Sequence, residues 1–330
     1  MPNYHVKHIT HYLYSSPVID TTNQIMLYPI IDDYQQLNNQ NLVITGNPLI
    51  ETFTDYFFNK VGMFSLVEPH SELIIKSYLE ITTLPLPPIN DDEPSELQWA
   101  QLDALCNQFP YIDFLQTESI DDNDELQKII NQISDKSKTP FENVKAFSEY
   151  IYQNFEYKKG VTSVETKVNE IWKLKAGVCQ DFAHILLLML RKMRIPAKYV
   201  SGYICPGDEE VRGEGATHAW IEAYIPSNGW IGFDPTNNCI VNDQHIRLAV
   251  GRNFSDCTPV KGTYKGCSEH RLQVSVVIEN ADNIKRIKKE QEQLNPPQMF
   301  SYISDNPLQS NNTNSYRTYI EQLQMQQQQQ

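Results

Sequence analysis

Near residue 84 the hydrophobic period of this 330-residue chain changes, so one uniform architecture cannot accommodate both sides of the change. Up to about residue 83, apolar and polar residues alternate at every second position in YHVKHITHYLY, NLVITG and ELIIKSYLEITT. Successive side chains of a strand point to opposite faces, so this alternation predicts half-buried antiparallel strands. The Pro-rich, acidic stretch LPLPPINDDEP at 84–94 interrupts the pattern and reads as a linker. Beyond it, SELQWAQLDALCNQF, DDNDELQKIINQISD and TPFENVKAFSEYIYQNFEY repeat their apolar residues three and four apart, the spacing of one helix face. Thr139 and Pro140 predict a cap and a first-turn proline for the third of these. ETKVNEIWKLKAG predicts a further helix closed by Gly177 as its C-cap glycine, and the helix after it runs to about Met193 and stops before Ile195-Pro196.

Strands then return in AKYVSGYI, THAWIEAYIP, GWIGFDP, IRLAVG and RLQVSVVIEN. Helices packed on an antiparallel sheet make an α+β domain. The expected division is a β-rich N-terminal domain over 1–83, a linker over 84–94, a helical segment with a catalytic core over 95–280, and a disordered Gln/Asn-rich tail over 281–330.

Charge and cysteine usage narrow the function classes. With 27 Lys+Arg against 41 Asp+Glu, a net charge of -14, the chain lacks the basic surface that phosphate binding needs, and no nucleic-acid partner is expected. The opening MPNYHVKHITHYLYSS has no basic region followed by an apolar one, and the longest apolar run, ILLLML at 185–190, is far short of the roughly 18 residues of a membrane span. The expectation is a cytoplasmic protein with no membrane partner. The six cysteines, Cys106, Cys179, Cys205, Cys239, Cys257 and Cys267, form no CxxC pair, which predicts free thiols and no structural zinc site.

One cysteine stands apart. Cys179, in GVCQDFAH, lies at the first turn of the apolar helix, where the positive end of the helix dipole favours a thiolate. A thiol nucleophile also needs a base that can protonate the leaving group, and a group that holds this base in its working tautomer. His218 lies within the strand THAWIEAY, and Asp234 ends the next strand, GWIGFDP. In an antiparallel hairpin these two share a face only if the loop around Ser227, Asn228 and Gly229 has an odd number of residues; a two-residue turn at Ser227-Asn228 would set Asp234 opposite Ile221.

GVCQDFAH followed by THAWIEAYIPSNGWIGFDPTNN resembles the Cys, His and Asp segments of the transglutaminase-like superfamily, in the same chain order. YVSGYI and VGRNFSDCTPVKGTYKG resemble its bacterial branch, and HITHYLYSSPVI and FTDYFFNKVGMF resemble the β-rich N-terminal region of that branch. The resemblance implies a papain-like core in which Cys179 is the nucleophile, His218 the general base and acid, and Asp234 the orienting carboxylate. It implies a thioester formed from a peptide or protein amide, without cofactor or metal, and, by analogy with the bacterial branch, hydrolysis by a cysteine protease or amidohydrolase. Amine transfer to a protein glutamine and a non-catalytic interaction module stay open as alternatives.

The remaining candidates have plainer readings. His184, five residues after Cys179, points away from it on an ideal helix and reads as packing, and Asp181 reads as a carboxylate complementing the helix dipole. His5, His8 and His11 fall on alternating faces of a strand, which disfavours a shared metal. Tyr157 and Trp172 are upstream aromatics that could approach the site, and no loop of the D-x-D-x-D-G type suggests calcium.

Overall fold

A computed structural model describes residues 1–118, 120–121, 123–163, 166–205, 212 and 217–281. The tail expected over 281–330 lies outside them apart from Ala281. Five strands come first: β1 (Asn3–Ile25), β2 (Gln35–Ile44), β3 (Glu51–Thr54), β4 (Lys60–Leu66) and β5 (His70–Thr83). In β1 the alternation seen in the sequence becomes an alternation of burial, with Tyr4, Val6, His8, Thr10 and Tyr12 facing inward and the residues between them half-buried. Helices follow as α1 (Ser95–Leu105), α2 (Asn123–Ile133) and α3 (Pro140–Asn154). The start of α3 is a capping box: the Glu142 N–H donates to Thr139 Oγ1 at 3.2 Å and the Glu142 carboxylate accepts from the Thr139 N–H at 3.0 Å.

After the two-residue strand β6 (Glu156–Tyr157) come α4 (Val168–Leu174), β7 (Ala176–Gly177) and α5 (Cys179–Lys192). Nearly every residue of α5 is buried, which is why its sequence is apolar on all sides and not on one stripe. A five-stranded antiparallel sheet lies against it, in the order β11 (Cys239–Ile240), β10 (Gly229–Asp234), β9 (Thr217–Ile225), β8 (Ala197–Ile204), β12 (His245–Gly251). The fold is thus α+β, with one helix enclosed between this sheet and α3 and α4. No helix among the described residues is long and apolar enough to cross a membrane.

Two local differences from the sequence reading have physical causes. Residues 260–280, assigned by periodicity to the catalytic core, form β13 (Val260–Lys265) and β14 (His270–Asn280) and pair with β1, from Ile25↔Val260 to Tyr4↔Asn280. β1 is flanked along both edges, by β5 and β14 in its first half and by β4 and β13 in its second, so its backbone donors and acceptors find partners on each side. Alternation marks a strand but not the sheet it joins. The second difference concerns Gly177: α4 ends instead with Lys175 in the left-handed conformation at φ 49°, and Gly177 serves a different purpose.

Candidate active site

That purpose is close approach. Gly177 lies in β7, paired with Tyr157 of β6, and the Lys158 N–H donates to its carbonyl at 2.8 Å. A Cβ on Gly177 would collide with the Asp181 carboxylate. This carboxylate folds back over the helix start, accepting the Val178 N–H at 2.8 Å and the Thr162 hydroxyl at 2.6 Å. Asp181 therefore satisfies a donor at the N-terminus of α5 as well as complementing its dipole. Cys179 is the first residue of α5, between these two features.

His218 and Asp234 come from the neighbouring strands β9 and β10. The hairpin joining them pairs Ile225 with Gly229, so its loop is the three residues Pro226, Ser227 and Asn228, with positive φ at Ser227 (65°) and Gly229 (80°). The odd loop keeps both side chains on one face, and His218 Nε2 donates to Asp234 Oδ2 at 2.7 Å. Cys179 lies beside His218 and acts on its charge; with Nε2 engaged by Asp234, Nδ1 is the ring nitrogen left for the thiol. The structure thus brings Cys179, His218 and Asp234 together, and all three are buried, at 1%, 3% and 0% exposure.

The Asp234 carboxylate is fully engaged. Oδ1 accepts the Thr236 N–H at 2.9 Å and the Asn237 N–H at 3.3 Å, while Oδ2 accepts the Asn237 amide at 2.7 Å besides His218. His245, on β12, brings its Nε2 to 3.6 Å from Oδ2. Burial opposes charge on both members of the central pair, but their mutual attraction and hydrogen bond prevail. His218 is raised to about 10, with the bond and charge of Cys179 adding to those of Asp234. Asp234 is held far below the usual carboxylate range by His218 and then His245.

Burial raises Cys205 and Cys257, and it pushes Cys239 up to about 12 with help from the Asp234 charge. These thiols stay protonated at neutral pH and are poor nucleophiles. His184 is lowered to about 4 by burial and then by Arg191; its Nε2 accepts the Phe254 N–H at 3.2 Å, and its ring packs on Tyr199, as a packing residue should. His5 and His11 turn outward toward Glu80 and Glu72, whereas His8 turns inward to Tyr203 Oη at 2.8 Å, so the three do not converge. Tyr157 packs edge-on against Phe182 next to the cysteine turn, and Trp172 is buried in the core against Phe155. Ligand-type atoms of His218, Asp234 and His245 lie within 4.8 Å of one another. A metal there would have to displace the 2.7 Å hydrogen bond of the central pair, so the geometry fits a proton-bearing network better than a metal.

Two residues escaped the sequence reading. Asn237, three positions after Asp234 in DPTN, carried a local signal, since such spacing places an amide within reach of the carboxylate in a turn. His245 carried none, because it arrives from a strand paired with β8 and not with β10.

Comparison with known proteins agrees with this architecture. A family model described as the transglutaminase-like superfamily matches residues 127–235, and one described as the bacterial transglutaminase-like N-terminal region matches residues 4–82. The uncharacterized protein ML0607 of Mycobacterium leprae is 32% identical over 276 residues, covering 83% of this chain and 97% of that one. A protein-glutamine gamma-glutamyltransferase of Pseudomonas aeruginosa is 32% identical over 71 residues, 20% of this chain and 11% of that one. Among solved structures, a provisionally assigned cysteine protease from Cytophaga hutchinsonii superimposes with a TM-score of 0.67 at 23% identity, covering 85% of this chain and 91% of that one. At that identity the likeness is one of fold.

Proposed function

This chain belongs to the transglutaminase-like superfamily, and from that premise we propose that it is a thiol enzyme that hydrolyses peptide or isopeptide amides through a thioester. The observation that carries the reading is a thiol at the start of a buried helix beside His218, whose Nε2 is hydrogen-bonded to a buried carboxylate at 2.7 Å. In the reactive form the Cys179 proton is already on His218, whose charge the Asp234 carboxylate holds, and the sulfur adds to the amide carbonyl. The backbone N–H of Cys179, at a helix start where it has no intrahelical partner, donates to the developing oxyanion. Collapse of the tetrahedral adduct breaks the C–N bond as the imidazolium protonates the leaving amine. A water, deprotonated by His218, then adds to the thioester and releases the acid and the free thiol. Because the thiol is buried, an acyl chain reaches it only when neighbouring side chains part.

Amine transfer is the second reading, favoured by the local likeness to the Pseudomonas glutamyltransferase. It shares every step up to the thioester and replaces the water with an amine. Assays with a glutamine-bearing protein and a labelled primary amine separate the two, since transfer retains the label and hydrolysis does not.

The thiol reading itself is tested by alkylation at Cys179 against pH, followed by peptide mass spectrometry. His218→Ala is expected to slow labelling at neutral pH by about 10²-fold, the lower end of what a positioned base contributes. Equal rates in the two proteins would leave the interaction-module alternative in its place.

A further inference from the structure

Asp234 has a neighbour that the proposed chemistry does not use. His245 is buried, its side chain 1% exposed, with Nε2 3.6 Å from Asp234 Oδ2. This Nε2 has no hydrogen-bond partner, the distance to Asp234 being beyond a full hydrogen bond. An orphaned buried nitrogen costs stability unless something uses it. The opposite edge of the ring meets a backbone donor. The Asn242 N–H points at Nδ1 from 3.3 Å, its direction fixed by the peptide plane, so Nδ1 presents a lone pair. Asn242 Oδ1, which accepts the Gln244 N–H at 2.9 Å, also lies 3.2 Å from this Nδ1. With Nδ1 accepting from Asn242, the Nε2 edge faces the carboxylate as a donor. The ring is held in this pose edge-on against Trp220, with centroids 5.1 Å apart.

We infer that His245 is a positioning residue: through its Nε2 proton it offers Asp234 a further donor and keeps the carboxylate ionised and turned toward His218. Oδ2 already receives His218 and Asn237 at 2.7 Å each. His245 therefore acts as a reserve donor, closing on the oxygen whenever either of the others lengthens during proton transfer at His218. This role rests on the thiol-enzyme reading and gives that reading a fourth member.

The full chain tests it with two substitutions. His245→Phe keeps the ring packed on Trp220 but removes the donor, and His245→Gln places an amide N–H close to where Nε2–H was. Labelling of Cys179 by iodoacetamide at neutral pH should slow about tenfold in the Phe variant, the worth of a donor that closes to a full hydrogen bond on the charged oxygen during proton transfer, and recover to within about threefold in the Gln variant. Wild-type rates in the Phe variant, or equal slowing in both, would overturn the inference, because packing alone would then explain the residue. ¹⁵N-labelled histidine in the wild-type protein supplies a readout that needs no variant to fold: His245 should appear as the Nε2–H tautomer, and an Nδ1–H tautomer would overturn the assignment. His218→Ala is the control that keeps the two readings apart. If it labels at the wild-type rate the thiol-enzyme reading fails, whereas if it is slow and His245→Phe is not, only the role of His245 fails.

Discussion

Burial alone would strip the charge from both His218 and Asp234, yet held 2.7 Å apart they keep it. His218 is raised from 6.5 to about 10, so the stability it contributes is present in full below pH 6.5 and is lost as the pH rises through about 10. Asp234 is lowered from 3.8, so its contribution is present above pH 3.8 and is lost only as the pH falls below that value. Asp234→Asn removes the charge that raises His218 and leaves burial to favour the neutral ring. Between pH 6.5 and 10 the melting temperature of the wild type should therefore fall more steeply than that of Asp234→Asn, measured by scanning calorimetry at constant ionic strength. Parallel curves would mean that the two side chains are not an ion pair in the folded protein. The three residue identities were legible in the sequence because each stands in a distinctive local setting. Their protonation was not, since it depends on burial and on partners from three different elements.

At the scale of elements, the cysteine turn depends on a contact between a strand and a helix. Gly177→Ala would drive the Asp181 carboxylate off the helix start and break its bonds from Val178 and Thr162. The expected loss is about 1–3 kcal/mol, the cost of leaving buried polar groups unpaired, read from urea denaturation. A change within about 0.5 kcal/mol, as for an ordinary surface substitution, would mean that the turn relaxes freely. Much of this level could be read from local pattern. Thr139 and Pro140 mark the start of α3, and the parity of the β9–β10 loop follows from the need to place His218 and Asp234 on one face. Gly177 was visible as a special position, but its reason was misread: a glycine before a helix looks alike whether it ends the preceding helix or makes room for a carboxylate four residues ahead.

For the whole molecule, β1 is the element that ties the ends of the chain together. β14 returns to its first half and β13 to its second, and Tyr4, Val6, Leu79 and Ile81 pack against Tyr203, Ile246 and Leu248 of the core sheet. Leu272, on β14, is buried beside Tyr12 and Leu73. Leu272→Ala should cost about 2–5 kcal/mol, as other large-to-small core substitutions do. Because the packing between the sheets is continuous, the loss should shift one unfolding transition, followed by circular dichroism and by exposure of Cys179 to label. Two separated transitions, only one of them shifted, would show instead that the sheets unfold independently. By itself the sequence determined most of the elements, the α+β class and the shared face of His218 and Asp234, because periodicity, caps and loop parity are local properties of a chain; the link from Cys179 to these two came from the resemblance to the superfamily. Only the tertiary structure decided that residues 260–280 join the first sheet, that the candidate site is closed to solvent, and that Asn237 and His245 meet on one carboxylate. Those outcomes depend on which strand edges pair and which side chains exclude water, and both are settled by contacts between residues far apart in the chain.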